Sequence, residues 1–307
     1  MNRKISPVIK DAVDYKLELK PCEKFVLDNG IPVYAVNAGA QDVLQIEMVF
    51  YAGNFFEQKK GIAAATNFLI KNGTSTRTAL QLNEAFEYYG AYCNRACYNE
   101  TAVLTLHTLT RHLEKLLPVM EDMLTDSIFP SQELEIYQQN SRQRLQVNLQ
   151  KCEFIAGRLI DSYLYGEKHP YGTYNNIVDI DSLDVDSIKN FYKDHYLQGQ
   201  CVIFVAGNIP AGLEKLLNDH FGKLKLGKPP VTLPEKITEP FSEKKYRIQN
   251  DAASVQGAIR IAAAFPNRHH PDFKKAIILN NVFGGFFGSR LMSNIREDKG
   301  YTYGIHS

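Results

Sequence analysis

Long apolar runs, paired cysteines and an excess of one charge are all missing from this chain of 307 residues. No stretch approaches the 18 or so continuous apolar residues of a membrane-spanning helix. The first twenty residues carry basic side chains but not the apolar segment of a secretory signal peptide. With 35 basic and 34 acidic residues, the charge balance gives no indication of a nucleic acid or an anionic membrane as a partner.

Cysteine is scarce, and its spacing does not suggest disulfides. The five cysteines are odd in number and widely spread, which predicts no disulfide framework and favours a reducing, cytoplasmic location. Cys93 and Cys97 share one face of a strand-like run and are interpreted as buried thiols. Two histidine pairs, His269 with His270 and His107 with His112, have spacings that do not favour a shared metal ion.

What is present is an ordered series of strand and helix patterns. Asn29-Gly30 between two short apolar runs predicts a hairpin, and Thr78 is predicted to be the N-cap of the helix over residues 78–89. Further strands are predicted in VLQIEMVFYAG, AYCNRACYNETAVLTLHTL and CVIFVAGNI. Helices are predicted over residues 61–72, 78–89, 110–127, 131–164, 182–195 and 210–223.

A segment rich in proline and lysine, residues 226–245, is typical of a linker. It separates a first domain, residues 1–225, from residues 246–307, where strand patterns (YRIQN, VQGAIRIAAAF, YTYGIHS) and helix patterns (DFKKAIILNNVFGG, SRLMSNIREDKG) begin again. The predicted fold class is therefore α+β, with duplicated domains that each carry a mostly antiparallel sheet covered by helices. The second domain looks incomplete, so we expect the chain to be a piece of a longer protein.

The run GIAAATNFLIKNGT at residues 61–74 resembles the signature helix of the insulinase/pitrilysin family of zinc peptidases. Four further segments resemble that family in the same order: KFVLDNGIPVYAV, EAFEYYGAYCNRACYNETAVLTL, HPYG with FYKDHY and VIFVAGNI, and GGFFGSRLMSNIREDKGYTYG. Active members carry H-x-x-E-H in the signature helix. Here the two histidine positions hold Ala64 and Phe68, and the glutamate position holds Asn67.

The resemblance gives these replacements a chemical meaning. In active members the two histidines lie on one helical face and bind zinc, and the glutamate activates the zinc-bound water. The family's third ligand, a glutamate further along the chain, falls near Arg144 here. Alanine and phenylalanine have no lone pair for a metal, and arginine repels one. We therefore expect this chain to bind no zinc and to cleave no peptide by itself.

The second-domain segment IREDKGYTY keeps a feature of the family. Members carry an arginine and, seven residues later, a tyrosine that are thought to hold the substrate backbone and its developing oxyanion. Arg296 and Tyr303 have that spacing, Gly300 supplies the turn between them, and Tyr301 is a secondary candidate for substrate binding. The other interpretation is an arginine on a solvated helix face and a tyrosine that packs in a strand.

The run GGFFGSR, with Gly284 and Gly285, lacks the G-K-[ST] ending of a phosphate-binding loop. It lies where the non-catalytic subunit of mitochondrial processing peptidase carries a glycine-rich substrate loop, so the resemblance implies substrate binding. The other interpretation is a flexible connection between helices.

Two functions follow from the resemblance. The first is a non-catalytic subunit that binds peptide and supplies Arg296 and Tyr303 to a zinc-bearing subunit of the same family or to a second copy. The zinc then belongs to the partner. The alternative is a scaffold subunit without a role in proteolysis, as in the core subunits of the respiratory bc1 complex. A peptidase active by itself is disfavoured, because no group remains to activate water.

Overall fold

The predicted hairpin forms at the start of the sheet. In the computed structural model, which describes residues 18–226, 245–249 and 255–307, strands β1 (Glu23–Val26) and β2 (Pro32–Asn37) pair antiparallel. Gly30 between them has φ of 90°, a backbone conformation that glycine adopts most readily. The Asn29 side chain donates hydrogen bonds of 2.8 and 2.9 Å to the carbonyls of Phe221 and Leu224. These bonds tie the turn to a distant part of the chain.

Four further strands complete one six-stranded sheet: β3 (Val43–Phe50), β4 (Tyr92–Cys97), β5 (Ala102–Leu109) and β6 (Cys201–Gly207). The strand order is β1-β2-β6-β3-β5-β4. Only β2 and β6 pair parallel, and every other neighbouring pair is antiparallel. Strand β4 therefore lies at an edge of the described sheet.

Eight helices accompany the sheet in the described part of the first unit. They are α1 (Ile62–Leu69), α2 (Ala79–Glu87), α3 (Leu113–Thr125), α4 (Ser131–Asn148), α5 (Cys152–Tyr165), α6 (Ile177–Asp181), α7 (Val185–Tyr192) and α8 (Leu213–Phe221). Thr78 caps α2 as predicted, in a reciprocal capping box with Gln81. A π-helical stretch, Lys193–Leu197, continues α7. None of the helices in the described ranges is long and apolar enough to span a bilayer.

The core lies between one face of the sheet and these helices. Along β3 every second side chain is fully buried: Leu44, Ile46, Met48 and Phe50. The helices contribute buried side chains that include Leu69, Phe86, Leu117, Met120 and Phe221. Burial of each large apolar side chain is worth about 1.5–3 kcal/mol, so this layer supplies the main stabilisation of the unit.

The single helix predicted over residues 131–164 is wrong in one respect, because the structure divides it into α4 and α5. Lys151 between them has an extended backbone, with φ of −93° and ψ of 118°. No glycine or proline marks this break in the sequence. The short helix α6 was not predicted either.

The chain divides into two compact units, and the second comprises the described residues 245–246 and 260–307. It contains helix α9 (Phe273–Asn280) and two π-helical stretches, Asn281–Gly285 and Met292–Asp298. The strands predicted at 246–250, 255–265 and 301–307 are absent from the described residues. A strand needs a neighbouring backbone for its hydrogen bonds, and no ladder pairs with these segments in the described part.

The α+β fold class is confirmed by the sheet and its helices. Of the predicted linker, residues 227–244 lie outside the described residues. Leu226, the first residue of that linker, is buried in the core of the first unit. The domain boundaries predicted from composition stay a prediction.

Candidate functional site

A carboxylate that precedes helix α1 in the sequence accepts hydrogen bonds from backbone amides at the start of that helix. Glu57 accepts hydrogen bonds from the backbone N–H groups of Gly61 and Ala63, at 3.1 and 3.0 Å. A helix leaves its first amides without partners inside the helix, so this contact stabilises the N-terminus of α1. Burial raises the pKa of Glu57 to about 7, although both hydrogen bonds oppose the rise.

Asn67, at the position of the catalytic glutamate in the family motif, points into the core. It is buried, and its Nδ2 atom donates a 3.2 Å hydrogen bond to the hydroxyl of Tyr196. Tyr196 is itself fully buried, and its ring packs on Phe50 with a centroid distance of 4.8 Å. An amide is not a base near neutral pH, so Asn67 serves packing here and cannot activate water.

Ala64 and Phe68, at the two histidine positions, lie one turn apart on the open face of α1. The Phe68 side chain is 40% exposed despite its apolar ring. Tyr137 of α4 contacts it at a centroid distance of 5.2 Å, and the Arg95 guanidinium lies 4.5 Å from the ring centre. An aromatic surface with a cation beside it therefore occupies the place of the second histidine.

Arg95, on the edge strand β4, links that strand to α1. Its Nη1 atom donates to the carbonyl oxygen of Phe68 and, at 3.0 Å, to Oδ1 of Asn72. The Asn72 amide in turn donates to Glu133 at 2.7 Å. Burial lowers the pKa of Arg95, because a charged group loses hydration there. The sequence analysis missed Arg95, although its place between Cys93 and Cys97 puts it on the same strand face as both.

Arg144, near which the resemblance implies the family's third ligand, is exposed on α4. Burial raises the pKa of Tyr137, and the charge of Arg144 opposes that rise. The Tyr137 hydroxyl also bonds to Ser141, four residues along the same helix. The structure therefore brings Phe68, Tyr137, Arg95 and Arg144 into one region beside the open face of α1. We call this region, together with Ala64 and Asn67 of that helix, the Phe68 site.

The residues at the Phe68 site do not fit a zinc ion. Zinc in proteins takes nitrogen, sulfur or carboxylate ligands, whereas these positions offer a methyl group, a phenyl ring, a buried amide and a guanidinium. Across the described ranges, no group of three or more His, Cys, Asp or Glu side chains is arranged to hold a metal. The ring of His107 instead stacks on Tyr92, with a centroid distance of 4.6 Å. Burial raises the pKa of the Cys93 thiol to about 11.

The edge strand β4 runs beside helix α1. Cys93, Arg95 and Cys97 alternate along one strand face, and β4 pairs with β5 on its other edge. In the described part of the chain no strand pairs with the free edge of β4. An unpaired edge presents backbone N–H and C=O groups that can pair with an added strand.

Arg296 and Tyr303 both belong to the second unit. The Arg296 guanidinium lies 4.8 Å from the centre of the Phe287 ring, and its Nη1 atom is 3.6 Å from the Glu297 carboxylate. Gly300 ends the helix with φ of 63°, which is the predicted turn. Tyr303 is 97% exposed, and Tyr301 is also exposed. Neither lies in a strand, so the strand predicted to carry both is wrong.

Gly284 and Gly285 end the π-helical stretch of the second unit. Gly284 is buried, and a Cβ atom there would lie 2.4 Å from the Ser307 hydroxyl, whereas Gly285 is exposed. The close approach of Ser307 therefore explains why residue 284 is a glycine, and no bound ligand is needed for that explanation. Their predicted role in substrate binding stays a prediction.

Comparison with known proteins gives two family models that match most of the chain. The model described as "Insulinase (Peptidase family M16)" matches residues 33–169, and the model described as "Peptidase M16 inactive domain" matches residues 182–307. The uncharacterized zinc protease YmxG of Bacillus subtilis is 26% identical over 93% of this chain and 69% of its own length. A protein of Schizosaccharomyces pombe described as "Probable mitochondrial-processing peptidase subunit beta" is 24% identical over 87% of this chain. This chain spans 60% of that protein.

Solved structures show the same fold. The peptidase M16 inactive domain from Pseudomonas fluorescens superposes with a TM-score of 0.75 at 21% identity, over 94% of this chain and 70% of its own. A protease from Helicobacter pylori superposes with a TM-score of 0.72 at 17% identity, over 94% of this chain and 71% of its own. These shares are consistent with the incomplete duplicated arrangement expected from the sequence.

Proposed function

Because the chain belongs to the insulinase family of peptidases, family M16, we propose that it is a non-catalytic subunit that binds an extended peptide for a zinc-bearing partner. The observation that carries this proposal is the Phe68 site. There the family's zinc-ligand positions hold Ala64, Phe68 and Arg144, and its base position holds the core amide of Asn67. The partner is a second subunit of the same family with an intact H-x-x-E-H helix, and the zinc belongs to it.

The free edge of β4 supports peptide binding. A peptide in extended conformation can add to an unpaired edge, where the backbone hydrogen bonds provide affinity and alternate side chains provide specificity. Every second side chain of such a peptide would face the same side of the sheet as Arg95, and therefore the open face of α1.

Arg296 and Tyr303 are the residues that this subunit would offer to the partner's active centre. An arginine presents a fork of N–H donors to a peptide carbonyl, and a tyrosine hydroxyl donates to an oxyanion. The 97% exposure of Tyr303 leaves its hydroxyl accessible to another molecule. Loss of one oxyanion donor typically lowers kcat about 10²–10³-fold.

A scaffold without a role in proteolysis is the second candidate. It is favoured by the contacts of Arg296, whose guanidinium lies over Phe287 and beside Glu297 within its own unit. A side chain that is held by its neighbours in this way can serve packing alone.

Reconstitution separates the two candidates. The full-length protein is mixed with an M16 protein from the same organism that carries H-x-x-E-H, and cleavage of a quenched fluorescent peptide is followed. The proposal expects each protein alone to be inactive and the mixture to be active, with co-elution of both in size-exclusion chromatography. A zinc-bearing protein whose cleavage rate does not change on addition of this chain would support the scaffold.

A further inference from the structure

Arg95 has hydrogen-bonding capacity that its neighbours do not use. Both of its described hydrogen bonds come from Nη1, to the Phe68 carbonyl and to Asn72. A guanidinium has five N–H donors, so the Nε donor and the two Nη2 donors have no acceptor within the described residues. These donors form the fork that binds a carboxylate through two parallel hydrogen bonds.

Two carboxylates in this part of the unit are already engaged. Glu133 accepts from the Asn72 amide, which separates it from Arg95, and both Glu57 oxygens accept from backbone amides of α1. Arg95 forms no ion pair with a described carboxylate, although Arg142 of α4 pairs with Asp181. Arg144 and Lys71 add further positive charge near the site.

The aromatic side chains around Arg95 strengthen any ion pair that forms there. Phe68 contacts the guanidinium, and Tyr137 packs beside Phe68. Apolar rings exclude water and lower the local dielectric constant, which strengthens charge pairing. A partly buried arginine with a free fork therefore favours an anionic ligand over a neutral one.

We propose that Arg95, flanked by Phe68 and Tyr137, is a subsite for a carboxylate of the bound peptide. This inference rests on the proposed function, because the peptide must first add to the edge of β4. On an added strand, the side chain opposite Arg95 lies with its Cβ atom about 4.5–5.5 Å from that of Arg95. A glutamate or aspartate at that position reaches the fork, as does a terminal carboxylate if the peptide ends there.

Binding of four fluorescein-labelled nonapeptide pools, measured by anisotropy, tests the subsite. Three amidated pools share the same randomised flanking positions and carry Glu, Gln or Lys at the centre. The fourth has Gln at the centre and a free carboxyl terminus. The full-length wild-type protein is compared with Arg95→Gln and with the control Arg142→Gln, whose arginine is paired with Asp181.

We expect the wild type to bind the Glu pool about tenfold more tightly than the Gln pool, as for hydrogen bonds to charged groups, and to bind the Lys pool most weakly. Arg95→Gln should abolish the preference for the Glu pool, and Arg142→Gln should retain it. In the wild type, raising the salt concentration from about 50 to about 500 mM should reduce the ratio of the two affinities. A preference for the fourth pool alone assigns the carboxylate to the peptide terminus.

Two results would overturn the inference. Equal affinity of the wild type for the Glu and Gln amidated pools, without a preference for the free terminus, removes the carboxylate subsite and leaves peptide binding intact. That comparison needs no variant, so it holds even if Arg95→Gln fails to fold. If no pool binds, the proposed peptide binding is wrong, and the carboxylate subsite that depends on it is wrong as well.

Discussion

The side chain of Asn67 donates a 3.2 Å hydrogen bond to the hydroxyl of Tyr196, and both side chains are buried. The bond joins α1 to the π-helical stretch that follows α7, 129 residues away in sequence. The position that holds a catalytic base in the family motif is therefore part of the packing of this protein.

The Asn67–Tyr196 bond should contribute measurably to stability. Asn67→Ala removes the donor and leaves a buried hydroxyl without it, which should lower the free energy of unfolding by about 1–3 kcal/mol. Tyr196→Phe should cost a similar amount, because it leaves the buried Asn67 amide without an acceptor. Urea unfolding of both single variants and the double variant measures the coupling. Strictly additive losses would show that the bond contributes nothing.

Zinc binding should return when the donor set is restored. The combined variant Ala64→His, Asn67→Glu, Phe68→His and Arg144→Glu supplies the ligands and the base of the family motif. We expect about one equivalent of zinc in the combined variant and none in the wild type, as measured by metal analysis after dialysis. Phe68→His alone is the control and should bind none. Stoichiometric zinc in the wild type would contradict the assignment of these positions.

Glu57 should make stability depend on pH near neutrality. Its folded-state pKa of about 7 lies above the ordinary value of 4.5, so the folded state binds more protons between these values. The stabilisation that Glu57 contributes is therefore full below pH 4.5 and is lost as pH rises through 7. The free energy of unfolding falls by at most about 3 kcal/mol over that range. Unfolding by urea from pH 5 to 8 should show this decline in the wild type and a flatter profile in Glu57→Gln.

Asp184 provides the matched control, because its shift has the opposite sign. Hydrogen bonds from Lys59 and from the Ser187 amide lower the pKa of Asp184 to about 2. Its contribution is therefore present above pH 3.8 and lost only as pH falls through 2. Asp184→Asn should leave the slope between pH 5 and 8 unchanged, and an equal change of slope in both variants would remove the assignment to Glu57.

Peptide binding at β4 should depend on the peptide backbone. A peptide that adds to a strand edge uses every second residue for hydrogen bonds to that edge. N-methylation of those alternate residues should weaken binding about tenfold or more, whereas methylation shifted by one residue should have a small effect. Anisotropy titration of the two methylated peptides makes the comparison. Equal affinities would exclude strand addition as the binding mode.

Local signals predicted much of the first unit. Asn29-Gly30 predicts the hairpin and Thr78 predicts the start of α2, because each acts on backbone groups a few residues away. The family resemblance, which depends on short motifs in order, is confirmed by the two family models. The break at Lys151 carries no such signal, since neither glycine nor proline stands there.

The Phe68 site was only partly predictable. Ala64, Asn67, Phe68 and Arg144 follow from the motif, but the contacts of Phe68 with Arg95 and Tyr137 join separate elements. Such contacts depend on how α1, α4 and β4 pack, which no local pattern specifies. The strands predicted near Ile259 and Ile261 failed for a related reason, because alternation alone does not supply the neighbouring strand that a ladder requires.

The most direct test of the central claim is the cleavage rate of the reconstituted pair with Arg296→Ala or Tyr303→Phe in this subunit. We expect kcat to fall about 10²-fold or more in each variant, with co-elution of the two subunits unchanged. The matched control Arg290→Ala, at an exposed position of the same unit, should have a smaller effect. Wild-type kcat in both Arg296→Ala and Tyr303→Phe would contradict the account.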